Sequence, residues 1–359
     1  MKAKKNECLG QAIGVDISKD KFDVCCIQIN DVKHLTIKAT TSFTYTEKGI
    51  KEFVLWAKKH SIATMPLTII MEATGVYYEK LANYLYDNVK EYKVVVILAN
   101  VFKKFAVSLN IKSKTDKVDA RILAQLGVER NHTAWVAPNK TVRQVRNLCR
   151  EKSILQKHKT MIMNNLHAID YRFVESKETQ KRLNQVIKLL DKQIADINIE
   201  VKAKAKTDSI LMKNIEIAIS ITGVGFDTAV LVLSETDNFK LFENKAQLVS
   251  YAGYDVVQNE SGKRKGKTYM SKKGNSHIRA QLFYPAFTHI YRKGVYYNFF
   301  QGIYARSKIK MKAYVAVQRK LLVLIFTLVK KQMMYNDDYL ATENADKMLT
   351  KASHNLQTV

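Results

Sequence analysis

Residues 11–30 read QAIGVDISKDKFDVCCIQIN. Apolar side chains fall at Ala12, Ile13, Val15 and Ile17, a polar turn follows over Ser18 to Lys21, and Phe22, Val24 and Ile27 resume the pattern. Two such runs around a short polar turn predict a β-hairpin. Working outward, Leu67 to Met71 forms a further apolar strand that ends at Glu72. Tyr77 to Tyr86 has helical spacing, and Val94 to Leu98 is a buried strand. Asp116 to Val128 reads as a helix with Ile122, Leu123 and Leu126 on one face. Strands that alternate with helices predict an α/β domain over roughly residues 8–130.

The middle of the chain has a different period. Leu183, Ile187, Leu190, Ile194, Ile197 and Val201 recur at spacings of four and three, which is a heptad seam. Val145, Leu148, Leu155, Ile162, Leu166 and Ile169 outline an earlier helix with a sparser seam. No proline interrupts the stretch between Pro138 and Pro285. The pattern fits a long antiparallel helical pair or an intermolecular coiled coil, and equally a helical hairpin packed on its own domain. From about residue 208 a second globular region begins. There an apolar segment, Thr222-Gly223-Val224-Gly225 and a helix over Thr228 to Leu233 resemble part of a helix-hairpin-helix, whose backbone N–H groups hold a DNA phosphate. A plain tight turn reads the same way.

Charge narrows the function. Lys plus Arg number 59 against 33 Asp plus Glu, a net charge of +26, while 47% hydrophobic residues exclude a disordered basic tail. Between Glu260 and Asp337 there is no acid, only twelve Lys and five Arg. Such a surface favours a polyanionic partner over mere solvation. Tyr251, Tyr254, Tyr269, Tyr284 and Tyr291 interleave with these cations, as base-stacking side chains or as core. Cys8, Cys25, Cys26 and Cys149 have no metal-ligand spacing and fit a reducing cytoplasm. The basic start is followed by Glu7 and no long apolar stretch, which argues against a signal peptide. The longest apolar run, Leu321 to Val329, is too short to cross a bilayer and reads as a buried helix.

Two constellations carry chemistry. Asp16 and Glu72 stand at strand ends, and Asp116 and Asp119, three apart, share a helix face. Four carboxylates brought together repel unless a cation neutralises them, and all-oxygen ligands favour Mg²⁺, with Mn²⁺ as a substitute. Taken singly, each acid reads as a surface charge, and Asp116 as the cap of its helix. The second constellation is Gln258 to Lys267, QNESGKRKGK, where small residues stand among cations. Ser261 is there a candidate nucleophile toward a phosphodiester, or part of a basic DNA-contacting loop with Lys263, Arg264, Lys265 and Lys267. Lys272, Lys273 and Arg279 extend the basic surface downstream.

At these residues the chain resembles the insertion-sequence transposases that join a RuvC-like DEDD domain to a serine-bearing C-terminal domain, the RNA-guided bridge recombinases. Gly14 to Lys19, Glu72 to Tyr77 and Lys114 to Ala120 are similar to the family's acidic motifs, in order. Thr222 to Gly225, Tyr251-Ala252-Gly253, Ser261-Gly262 and Ser271 to Asn275 resemble its C-terminal motifs. Val256 stands where the family often has a proline. The resemblance implies a RuvC-like (RNase H-like) α/β domain over 1–140, a helical coiled-coil segment over 141–207, a mainly α transposase domain over 208–340 and a polar tail over 341–359. It implies Mg²⁺ on Asp16, Glu72, Asp116 and Asp119, with Ser261 as nucleophile. It implies donor and target DNA, a structured non-coding guide RNA and a homo-oligomer, a dimer or tetramer, as partners, with no membrane. Two other readings stand beside it: a Holliday-junction-type nuclease that uses the acids and water alone, and a non-catalytic nucleic-acid-binding protein.

Overall fold

The computed structural model describes residues 7–73, 75–111, 115–171, 177–261, 264–266 and 268–336. The chain divides into two compact units, one up to Ala137 and one from Pro138.

The first unit is built on a five-stranded mixed sheet. β1 (Cys8–Ile17) and β2 (Lys21–Asn30) form the hairpin anticipated from residues 11–30, and β3 (Leu35–Thr44) extends it antiparallel. α1 (Glu47–His60) leads to β4 (Leu67–Glu72), then α2 (Tyr78–Asn88), β5 (Tyr92–Ile97), α3 (Ala99–Ser108) and α4 (Asp116–Glu129). The sheet order is β3-β2-β1-β4-β5, with β4 and β5 parallel to β1. β3 escaped the sequence reading because it lies at the sheet edge, where partial exposure and threonines blur the alternation.

Period-two alternation sorts the side chains between two layers. Ile13, Val15, Phe22, Val24 and Cys26 pack with Ile50 and Phe53 of α1 and Leu81 of α2. Cys25, Ile27 and Ile70 point the other way, onto α4. Adjacent Cys25 and Cys26 thus serve opposite layers, and all four cysteines are free. The approach of α4 to β1 is close. A Cβ on Gly14 would lie 2.0 Å from the Ala120 carbonyl oxygen and 2.3 Å from the Ala124 nitrogen.

The second unit contains the long helices. α5 (Lys140–Ile169) and α6 (Lys177–Lys206) run 30 residues each. Lys159 reaches Asp191 and Lys204 reaches Gln144, so the pair is antiparallel within one chain. The heptad seam is therefore that of a hairpin, and Leu190, Ile197 and Val201 are buried by it. Its base is continuous with the C-terminal core: Val142, Val145, Cys149, Ile197 and Val201 share one cluster with α7 (Ser209–Ile219) and α8 (Phe226–Glu235). The helical middle and the C-terminal region accordingly form one unit.

α9 (Lys245–Tyr251) precedes two short antiparallel ladders, β6 (Val256–Val257) with β9 (Tyr269–Met270) and β7 (Glu260–Ser261) with β8 (Arg264–Lys265). α10 (Ser276–Gln281), α11 (Phe283–Tyr291), α12 (Tyr297–Ser307) and α13 (Lys310–Lys331) complete the unit. α13 buries Leu321, Leu322, Leu324 and Ile325 in its core, as the apolar run suggested. Among the described residues no helix is long and apolar enough to cross a membrane.

The Gly14 contact yields a first test. Gly14→Ala forces backbone against backbone, and overpacking of this kind costs about 3 kcal/mol. Chemical denaturation should show that loss in the transition that includes unit one. An unchanged midpoint would show that α4 can retreat freely.

Candidate active site and nucleic-acid surface

Sheet register assembles the acids. Asp16 follows Val15, which pairs with Met71 of β4, so Asp16 and Glu72 leave adjacent parallel strands at the same end. Both fall on the α4 side of the sheet by alternation, with Gly14 and Ile70. Thr115 caps α4, its hydroxyl accepting from the Val118 N–H at 3.3 Å. That corrects the reading of Asp116 as the cap. Asp116 instead lies in the first turn with Asp119, where the helix dipole favours negative charge.

Asp16 feels its acidic neighbours. Burial, then Asp119, Asp116, Glu72 and Asp23 push the Asp16 carboxyl up to about 6. Asp23 was missed in the sequence, although the hairpin register pairs it directly with Asp16. It is buried and accepts from the Ser42 hydroxyl and from Lys21 Nζ at 2.9 Å. Lys21 also lies 3.2 Å from Asp116 Oδ2, so one lysine offsets part of the charge. Among the described residues no three acids, histidines or cysteines converge tightly enough to enclose a metal ion. The donor set fits a hard divalent cation in its chemistry: it is all oxygen, gathered at one end of the sheet, and under-neutralised at Asp16. Thr74 and Lys114, beside these acids in the motifs, lie outside the described residues.

Ser261 lies in the second unit. It is exposed on β7, paired in register with Arg264. Lys263 and Lys267 lie outside the described residues; Arg264 and Lys265 form β8. Lys272 and Lys273 are exposed on a tightly anchored turn. The Lys272 N–H donates to the Gly253 carbonyl at 3.1 Å and the Asn275 N–H to the Tyr251 carbonyl at 2.7 Å. Gly253 has φ +75°, and a Cβ there would meet the Arg279 guanidinium at 2.7 Å. Arg279 donates to the Ala252 carbonyl at 2.7 Å, so its hydrogen bonding holds this turn. Tyr254 is core, its hydroxyl donating to Gln318. In the helix-hairpin-helix segment, Gly223 at φ +93° seats the turn against α11, while Gly225 caps α8 and stays exposed.

A buried network ties this turn to the long hairpin. The Glu235 side chain is fully buried and accepts from Arg150 Nε at 2.6 Å and Nη2 at 2.7 Å. Asn275 Nδ2 donates to the same carboxylate at 2.7 Å, and its Oδ1 caps α10. The Tyr251 hydroxyl donates to the Glu235 carbonyl at 3.0 Å. Burial alone would raise the Glu235 carboxyl; the Arg150 and Asn275 hydrogen bonds outweigh it and hold the group below its ordinary value. No local motif announces a pair 85 residues apart in sequence.

An acid-lined α/β unit joined to a cation-rich helical unit is the build of an enzyme that works on nucleic acid. Comparison with known proteins makes that specific. Residues 13–169 match the model of the DEDD transposase domain of IS110 elements, described as a transposase, and residues 215–300 match the transposase IS116/IS110/IS902 family. The chain is 26% identical over 334 residues to the pilin gene-inverting protein of Moraxella bovis, covering 90% of this chain and 97% of that one. It is 26% identical over 330 residues to the Moraxella lacunata protein of the same name, with the same coverage. It is 24% identical over 357 residues to the transposase for insertion sequence element IS1111A of Coxiella burnetii, covering 90% of each. The chain belongs to the IS110 family of transposases. It is a DNA transposase/recombinase, and DEDD transposases are generally dependent on a divalent metal.

The Glu235 network predicts a pH signature. In the wild type its contribution is present above the ordinary glutamate value and is lost as pH falls through the lower folded value. Arg150→Met leaves burial to dominate and strands a buried carboxylate, a loss of about 3–5 kcal/mol at neutral pH. The deficit should shrink as pH falls from above the ordinary glutamate value, where the variant's raised carboxyl takes up its proton, to the lower folded value of the wild type. Parallel stability curves for the two proteins would refute the assignment.

Proposed function

We propose that this transposase cuts and exchanges DNA strands through two centres, the acids Asp16, Glu72, Asp116 and Asp119 and the hydroxyl of Ser261. The observation that carries the reading is the placement of Asp16 and Glu72 at one end of adjacent parallel strands, with Asp116 and Asp119 in the first turn of α4, where burial and acidic neighbours push Asp16 up to about 6. The RuvC-like assignment of the first unit is supported by its order β3-β2-β1-β4-β5, with acids at the ends of β1 and β4 and at the start of α4. The four acids would hold Mg²⁺, with Mn²⁺ as a substitute. A bound divalent ion supplies Lewis-acid stabilisation of charge on phosphoryl oxygens.

Ser261 is the nucleophile in this reading. Its oxygen bonds to phosphorus, the bond from phosphorus to the leaving strand's oxygen breaks, and a covalent protein–DNA adduct results. The hydroxyl proton must leave during attack, which requires a base or a metal-bound centre beside it. Exposure on a short hairpin among cations supports the assignment. A structured guide RNA, pairing with donor and target, and a homo-oligomeric complex follow from the family resemblance. The free cysteines fit a reducing cytoplasm. Lys263, Arg264, Lys265, Lys267, Lys272 and Lys273 form the phosphate-binding surface, and Arg279 contributes by fixing the turn that carries two of them.

Trapping experiments separate this reading from a nuclease that uses the acids and water alone. Ser261→Ala should bind DNA and RNA normally yet form no covalent adduct. Asp119→Asn should lower recombination about a thousandfold or more with the fold intact. A Ser261→Ala protein that recombines at the wild-type rate moves the nucleophile elsewhere. Full activity of Asp119→Asn, or full wild-type activity in excess chelator, removes the metal centre.

The basic hairpin has its own test. Replacing Lys263, Arg264, Lys265 and Lys267 with Gln should reduce the salt dependence of DNA binding by a slope of about 3 to 4 if all four contact phosphates. An unchanged slope would mean that these cations only solvate the surface.

A further inference from the structure

α11 has its expected faces in an unusual state. Pro285, Ala286, His289 and Ile290 are buried, and His289 is locked, its ring meeting the Thr222 carbonyl at 2.7 Å and the Tyr296 N–H at 3.2 Å. The opposite face is aromatic. Tyr284 is 75% exposed, Phe287 48% and Tyr291 80%. Spacings of three and four place the three rings on one stripe, about 10 Å long at 1.5 Å per residue. Scattered exposed rings need no explanation, but a stripe of three on a rigid helix marks an interaction surface.

Chemistry selects the occupant. Arg292 and Lys293, both exposed, follow Tyr291 directly. No acid occurs in sequence from Ser261 to Asn336, and Asp227, which lines the cavity at the Tyr284 end, is ion-paired with Lys152 at 2.7 Å. Flat rings beside cations match an unpaired nucleic-acid strand, whose bases offer π faces and whose phosphates offer charge; paired duplex hides the faces. At the Tyr284 end the stripe meets a cavity of about 330 Å³ lined by Gln156, Asn198, Gln281 and Tyr284 among others. Its amide side chains suit the edge of an unstacked base. The family acts on DNA, so DNA is the strand chosen here.

We propose that α11 is a stacking platform for unpaired DNA, with Tyr284 and Tyr291 under bases and Arg292 and Lys293 on phosphates. The proposal rests on membership of a DNA recombinase family and on neither the acids nor Ser261, so its failure and theirs are separate.

The test uses the full chain and a labelled oligothymidylate of about twenty nucleotides, with a duplex of equal length and an oligouridylate as comparators. The Tyr284→Leu/Tyr291→Leu pair keeps apolar bulk, helix propensity and charge but removes the flat rings. Oligothymidylate affinity should fall about thirtyfold with an unchanged salt slope, duplex affinity should hold within about twofold, and the Tyr→Phe pair should bind as wild type. If the double variant is unfolded by circular dichroism, the single Tyr291→Leu at the outer end of the helix decides, with a fall of about fivefold expected. Wild-type affinity in the Leu variants, or equal loss on duplex, overturns the proposal. Loss confined to oligouridylate gives the face to RNA and overturns it too. Altered subunit number with DNA affinity intact gives the face to a second copy, with the same consequence.

Discussion

A methyl group on residue 14 would lie 2.0 Å from the backbone of α4, and the acid-bearing end of the first unit depends on that near-contact. Only glycine lets a helix backbone lie directly on a strand. With α4 seated there, its first turn delivers Asp116 and Asp119 to the sheet end where Asp16 and Glu72 emerge. The resulting repulsion is expressed at Asp16, whose anion burial and four acidic neighbours disfavour. Close packing thus gathers the charge on which the proposed divalent-cation site rests. Lys21, shared between Asp23 and Asp116, offsets only part of it.

The second unit solves a different problem, that of holding many cations in fixed positions. Like charges drive a surface apart unless the backbone beneath is tied down. The turn that presents Lys272 and Lys273 is tied by Gly253, Arg279 and Asn275, and Asn275 in turn is gripped by Glu235 and Arg150. Arg150 belongs to α5, so a carboxylate buried in the core links the long hairpin to the basic turn. A single carboxylate accepting a bidentate guanidinium and an amide has its bonding capacity well used, which makes its burial tolerable.

Both units carry more Lys and Arg than Asp and Glu; what differs is local, acids gathered at one sheet end in the first and an acid-free run of cations in the second. A recombinase of this family needs both, since its substrate is a polyanion whose phosphates must be gripped and then made reactive. The exposed rings of α11 add a third element, suited to bases once strands are unpaired.

Much of this was legible in the sequence because the signals are local. Alternation around Ser18 to Lys21 gives the hairpin, period 3.6 gives α4, and an apolar run gives α13. The four acids and Ser261 stand out through their motif context, and the acid-free run to Asn336 needs only counting. What the sequence could not decide depends on contacts between distant residues. The heptad seam is identical for a hairpin and for an intermolecular coil, and the pairing of α5 with α6 shows that it forms a hairpin within the chain. Asp23 joined the acids through strand register, Thr115 displaced Asp116 as cap through a side-chain hydrogen bond, and Tyr254 left the surface for the core. Glu235 and Arg150, 85 residues apart, carry no shared motif. Residue type and spacing set local structure and charge; which groups meet is fixed by packing, and only the folded chain decides that.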